Sequence, residues 1–206
     1  DAAYGVAEGI HARESGRRPE SEVKRLILEA LRPVRFFDGR GYVFINDMRG
    51  HIRLLPPNPE LEGQPNLHNQ DDMGQPIMGS LIEAARRPRG EGWAHYRWYP
   101  VDDPRHMKDK LSYVRHFAPY DWLIGVGDYL HYWEDYQRSE ALDRLRTTRV
   151  GRTGHVSLTS LEGVAIQIPS APQLAGKPIA SLPEREADVI NRVTQLALEG
   201  GGFLSY

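Results

Sequence analysis

The stretch from Gly92 to Tyr129 concentrates side chains with which a protein can hold a small anion: Tyr96, Trp98, Lys110, Tyr113, Trp122 and Tyr129. A short organic anion offers little surface, so its affinity has to come from charge-assisted hydrogen bonds inside a partly dry box. Tyrosine hydroxyls and an indole N–H can orient a carboxylate, and a lysine such as Lys110 can neutralise it. Strand alternation puts Tyr96 and Trp98 on one face and Arg97 on the other; Lys110 and Ser112 share a face, with Leu111 and Tyr113 opposite. Periodicity leaves open which face holds a pocket. Blander roles stand beside each residue. Trp93, Trp98 and Trp122 also suit core packing, Lys110 an ion pair at a sheet edge, and Tyr129 an exit helix, while Arg53 and Arg97 are competing cations.

Other chemistries lack their patterns. The 8 histidines are scattered with no His-Glu-x-x-His, and Asp71-Asp72 and Asp102-Asp103 sit among turn formers outside any calcium-loop spacing. No metal or cofactor is therefore expected. No Gly-x-Ser-x-Gly occurs, so nothing points to a catalytic residue or an enzyme. Gly125-Val-Gly127 has no helix-opening lysine loop after it, and reads as a place where backbone packs closely. A net charge of −2 gives no pull toward nucleic acid, and the absence of cysteine excludes disulfides and thiolate sites. With 40% hydrophobic residues the chain can bury a real core, yet it has no stretch long and apolar enough for a membrane span. The missing initiator Met suits a processed or excised piece.

The elements that must position those side chains can be read from local patterns. Ser21 is a plausible N-cap for a helix with Val23, Leu26, Ile27, Ala30 and Leu31 on one face, stopped by Pro33. Residues 41–46 and 51–55 predict a hairpin turning through Asp47-Met-Arg-Gly50. A loop rich in Pro, Asn, Asp and Gly, residues 56–76, precedes a helix over about 77–87; so long a loop tends to be a binding or lid element. Strands over 92–98, 110–117 and 122–127 complete an antiparallel five-stranded sheet flanked by helices, an α+β architecture. A helical stretch, residues 129–147, leads onward.

The C-terminal third of the chain repeats part of the N-terminal half. Gly41, Val43, Gly50, Pro56, Pro59, Leu61, Gly63 and Pro65 recur as Gly154, Val156, Gly163, Pro169, Pro172, Leu174, Gly176 and Pro178, 113 positions later without a gap. Most of these residues fix backbone shape, so the repeated object is a folded unit. Two tandem modules are predicted, residues 1–130 and residues 131–206. In the second a hairpin spans 155–160 and 164–168, and a helix about 183–198. Gly202-Phe-Leu-Ser-Tyr206 aligns with Gly92-Trp-Ala-His-Tyr96, which predicts an incomplete second copy whose exposed sheet edge pairs with another chain, as in a homodimer, distorts, or leaves the unit marginally stable.

The first module resembles the Cache domains, PAS-like extracytoplasmic sensors of bacterial chemoreceptors, histidine kinases and diguanylate cyclases. The resemblance rests on Gly41-Tyr-Val-Phe-Ile-Asn-Asp-Met-Arg-Gly50, Asn58-Pro-Glu-Leu-Glu-Gly63, Gly90-Glu-Gly-Trp-Ala-His-Tyr-Arg-Trp98, Lys110-Leu-Ser-Tyr-Val114 and Tyr120-Asp-Trp-Leu-Ile-Gly-Val-Gly-Asp-Tyr129. The repeat makes the chain similar to a double Cache module. One departure is Leu55-Pro56, where members of the family often carry His-Pro. The resemblance implies a periplasmic location in a membrane-anchored parent. It also implies a small-molecule ligand, a short carboxylate or related metabolite, bound near Phe44, Tyr96, Trp98, Lys110, Tyr113, Trp122 and Tyr129. The second module then serves as a transmitting spacer. The competing expectation is a dimerisation and transmission module whose pocket is filled by its own side chains.

Overall fold

The computed structural model describes residues 1–206, which form two compact units, Asp1–Trp133 and Glu134–Tyr206. In the first, α1 (Ala2–Glu14) and α2 (Glu20–Leu31) pack on each other. Val23, Ile27 and Leu31 of α2 recur at i, i+4 and i+8 and are fully buried; each such side chain contributes roughly 1.5–3 kcal/mol. Pro19 occupies the N-cap position, and Ser21 lies inside the first turn without capping it. Glu20 and Glu22 there complement the helix dipole instead. Helix α1 carries almost no apolar stripe, and is held through buried Ala7 and Ile10 and through Tyr4 and His11, whose rings meet Phe117 at 5.7 and 5.9 Å.

The sheet contains β1 (Arg35–Phe36), β2 (Gly41–Asp47), β3 (Ile52–Leu54), β4 (Glu91–Trp98), β5 (Lys108–Phe117) and β6 (Trp122–Tyr129). All pairings are antiparallel, and β2, β6, β5 and β4 lie side by side. Both β1 and β3 pair with the remaining edge of β2, so the five expected strands gain a two-residue sixth. One face packs on α1 and α2, with Val43, Ile45, Phe117, Trp122 and Ile124 in that core. The other packs on α3 (Ile77–Ala85), against Tyr42, Phe44, Ala94, Tyr96, Val114 and Leu123. Covered on both faces, all seven residues of β2 are buried.

The β2–β3 turn closes on the Asp47 carboxylate, whose Oδ1 accepts the N–H of Arg49 at 3.0 Å and of His51 at 2.9 Å. Gly50 adopts φ +88°, where a β-carbon would come within 2.8 Å of Leu67. The 56–76 loop is ordered by a 3-10 turn at Pro59–Leu61 and by buried Asp71, which accepts the N–H groups of Met73, Gln75 and Arg97.

Helix α4 (Leu130–Thr147) starts at the residue after β6 and continues into the second unit. That unit holds the short pairs β7 (Arg149–Val150) with β8 (Gly154–His155), and β9 (Leu158–Thr159) with β10 (Ala165–Gln167), then α5 (Glu184–Leu198). Its β9–β10 hairpin and the loop after it repeat backbone hydrogen bonds of the β2–β3 region of the first. Gly63 N–H donates to Ile52 O at 2.7 Å, and Gly176 N–H to Ala165 O at 2.7 Å; Ile52 N–H reaches Gln64 O, and Ala165 N–H reaches Lys177 O, both at 3.1 Å. Gly163 has φ +81°, matching Gly50. Residues 202–206 form no strand, in contrast to their counterparts in β4, which pair along their whole length with β5. No helix in the chain is long and apolar enough to cross a membrane.

Candidate ligand-binding site

A small cavity of about 30 Å³ lies between the sheet and α3, lined by Tyr42, Phe44, Asn46, Ile52, Leu55, Asn66, Ile77, Met78, Leu81, Tyr96, Trp98 and Lys110. The register explains why these side chains converge. Tyr96 sits opposite Lys110, and Lys110 opposite Tyr129, so all three share a face; Trp98 is two residues beyond Tyr96. Phe44 faces Gly125, where a β-carbon would stand 2.3 Å from its ring. At Gly127 a β-carbon would meet Ser112 Oγ at 2.3 Å and Lys110 Cε at 3.1 Å. The Gly125 and Gly127 pair thus leaves room for the phenylalanine ring and the lysine stem.

Lys110 is 1% exposed. Its Nζ donates to Tyr42 Oη at 2.8 Å and lies 4.3, 5.0 and 5.7 Å from the ring centres of Tyr42, Tyr129 and Phe44. Burial penalises this ammonium, but the oxygens of Tyr42 and Tyr96 and, at longer range, Asp128 outweigh that and hold it above the usual lysine range. No carboxylate forms an ion pair with it. Tyr96 Oη is within 2.9 Å of Ser112 Oγ, and burial pushes the Tyr96 hydroxyl up, against the opposing influence of Lys110 and Ser112. Tyr129, also raised by burial, donates to Tyr99 O at 2.5 Å. Nearby, Tyr132 hydrogen-bonds Asp102.

Of the residues expected near a ligand, Phe44, Tyr96, Trp98 and Lys110 line the cavity, and Tyr129 backs Lys110 without lining it. Tyr113 and Trp122 do not join them. Tyr113 is an odd number of residues from Lys110 and faces the other way, against Trp93 at 5.2 Å with its hydroxyl toward Glu91. Trp122 is likewise of opposite parity to Tyr129; it packs toward α1 and α2, 5.2 Å from Tyr120. Tyr42, Asn46, Asn66 and Met78 were not expected from sequence. The two competing cations are already paired. Arg53 binds Asp47 at 2.6 Å, and Arg97 joins Asp72 at 2.6 Å, Asp109 at 3.1 Å and Met107 O at 2.7 Å. Together with the bond from Gln75 Nε2 to His95 O at 2.6 Å, the Arg97 contacts clamp the 56–76 loop onto β4 and β5.

Two larger concavities open to solvent on the opposite face. One, of about 580 Å³, is rimmed by Lys24, Arg25, Arg49 and Arg53; the other, of about 670 Å³, is an apolar groove with Phe37, Trp93, Leu130 and Trp133. In the first, Lys24 and Arg25 pair with Glu20 and Glu29, and Arg53 with Asp47. The first does hold a buried charge, Asp47, but it is paired with Arg53; the small cavity is set apart by a buried charge, Lys110, that has no ion-pair partner. No three of the chain's His, Asp and Glu side chains gather where they could hold a metal ion.

Residues 1–206 match the family described as Cache domain. The chain belongs to the Cache domain family. It is 26% identical over 188 residues to the methyl-accepting chemotaxis protein McpP of Pseudomonas putida, covering 90% of this chain and 33% of that protein. It is 30% identical over 90 residues to the sensor histidine kinase MctS of Rhizobium johnstonii, covering 44% of this chain and 19% of that protein. The chain thus spans a third and a fifth of the length of these relatives. Among solved structures, a periplasmic sensor domain of a chemotaxis protein is similar at TM-score 0.56 and 31% identity, covering 62% of this chain and 88% of its own. A Cache chemosensory domain solved for its carboxylic acid recognition is similar at TM-score 0.58 and 26% identity, with 62% and 86% covered. This Cache chain is an extracytoplasmic sensor domain, related to those of chemoreceptors and sensor kinases.

Proposed function

We propose that the first unit senses a short organic carboxylate, bound in the cavity beneath α3, and that the parent receptor carries the resulting change across the membrane. The observation that carries this reading is Lys110, a fully buried ammonium that lines a cavity and has no carboxylate partner. An unpaired buried charge is costly, and an incoming anion removes that cost while forming charge-assisted hydrogen bonds. The carboxylate accepts from the N–H groups of Lys110 not used by Tyr42, next to the hydroxyl of Tyr96, with the alkyl end against Ile52, Leu55, Ile77 and Met78. The carboxylic-acid-recognising Cache structure supports the ligand class.

The route outward starts at Tyr129. Its ring faces the lysine, its hydroxyl holds Tyr99 O, and α4 begins at the next residue. An anion that draws the ammonium away from this ring favours one position of the β6–α4 junction over another, as a two-state sensor requires.

Calorimetric titration of acetate and propionate tests the proposal. The wild-type chain binds, and Lys110→Met weakens binding at least about 100-fold, the cost of removing one partner of a buried pair. Wild-type ligand at 100 times its Kd raises stability by about 2.7 kcal/mol, visible as a thermal shift absent from the variant. Unchanged affinity in Lys110→Met would place the ligand elsewhere.

A further inference from the structure

Trp98 belongs to two concavities. It lines the inner cavity of about 30 Å³, and also an outer cleft of about 280 Å³ formed with Pro57, Asn58, Leu61, Tyr99, Pro100, Val101 and Pro104. It is the single residue common to both linings, and it is 8% exposed. Its ring stands 5.6 Å from that of Tyr99 in an edge-type contact. The two spaces differ about ninefold in volume, and the indole is the wall they share.

We infer that Trp98 is the residue that sets ligand chain length: it separates the charged inner cavity from the outer cleft and confines the sensor to the shortest carboxylates. The inference rests on the proposed carboxylate reading of the inner cavity. A volume of about 30 Å³ holds about two waters, so even a two- or three-carbon acid fills it after small adjustments. A longer chain meets the indole. With the indole gone, the inner cavity opens into a cleft walled by proline rings, Leu61 and Val101, an apolar lining that takes an alkyl tail while Lys110 keeps the head group.

The test is a calorimetric series from acetate to hexanoate on the wild-type chain, Trp98→Ala, Trp98→Leu and Lys110→Met. The wild-type chain is expected to lose affinity as the acid lengthens beyond propionate. Trp98→Ala is expected to reverse that ranking, gaining about fourfold per added methylene and losing affinity for acetate. Trp98→Leu, which keeps apolar bulk, is expected to fall between them and guards against loss of folding in the alanine variant. A ranking identical in all three chains, with Lys110→Met still inactive, overturns the role of Trp98 and leaves the carboxylate reading standing. Absence of acid binding to the wild-type chain overturns both.

Discussion

The two hairpins, β2–β3 and β9–β10, are the same local object in different company. They share φ > 0 glycines at Gly50 and Gly163, paired N–H to C=O bonds of equal length, and a side-chain oxygen capping the turn. In the first that oxygen is Asp47 Oδ1, accepting from His51 N–H at 2.9 Å; in the second it is Ser160 Oγ, accepting from Val164 N–H at 3.1 Å. Beyond this they diverge. Strand β2 has partners on both edges and a packed layer on both faces, whereas β9 pairs only with β10. Glycines and prolines can thus specify a turn twice, but a binding cavity also needs strands and a helix to close over it.

The largest expected difference is in amide hydrogen exchange. Amides of Val43 to Ile45 should exchange orders of magnitude more slowly than those of Leu158 and Thr159, because opening β2 disrupts both cores while β9 opens locally. Equal protection of the two strands would break the comparison. Core truncation comes next. Leu123→Ala should cost about 2–5 kcal/mol in denaturant unfolding, as its fully buried side chain leaves a cavity between sheet and α3. Ile190→Ala, in a cluster of only four buried residues, should lie at the bottom of that range or below it.

The turn caps give a smaller, pH-dependent difference. Burial opposes ionisation of Asp47, but the N–H of His51 and the guanidinium of Arg53 outweigh it and hold the carboxyl below its usual value. A lowered carboxyl stabilises fully above its unfolded value, about 3.9, and loses that contribution as pH falls through the folded one. Between about pH 5 and acid, the first unit should therefore lose about 1–3 kcal/mol from this turn, measured by urea unfolding at stepped pH. Asp47→Ser copies the second hairpin and should flatten that dependence. Smallest of all, Ser160→Ala should cost about 0.5–1.5 kcal/mol, with no pH dependence from the cap.

Most of the first unit was legible because its strands and helices keep simple periods. Val23, Ile27 and Leu31 announce α2, and alternation along 92–98 and 110–117 announces β4 and β5. Helix α1 was not legible, since Gly5 and Gly9 interrupt a sequence without an apolar stripe and only packing against α2 and Phe117 holds it. Lys110 stood out as a lysine inside a strand. Tyr42 and Asn46 did not, because β2 is buried on both faces and shows no alternation to read. Tyr113 and Trp122 were included on the family resemblance, although counting parity from Lys110 and Tyr129 assigns them to the other side. The partition made by Trp98 depends on the path of the 56–76 loop, which no local period encodes.

The Arg97 clamp bears on time as well as on shape. Its bonds to Asp72, Asp109 and Met107 hold the loop from outside, at positions partly open to water, so added salt weakens them while leaving buried Lys110 largely unscreened. A sensor arranged this way sets how strongly it holds its signal molecule in one place and how long in another. Rising ionic strength should shorten the residence of a bound acid before it changes the occupancy that the acid reaches.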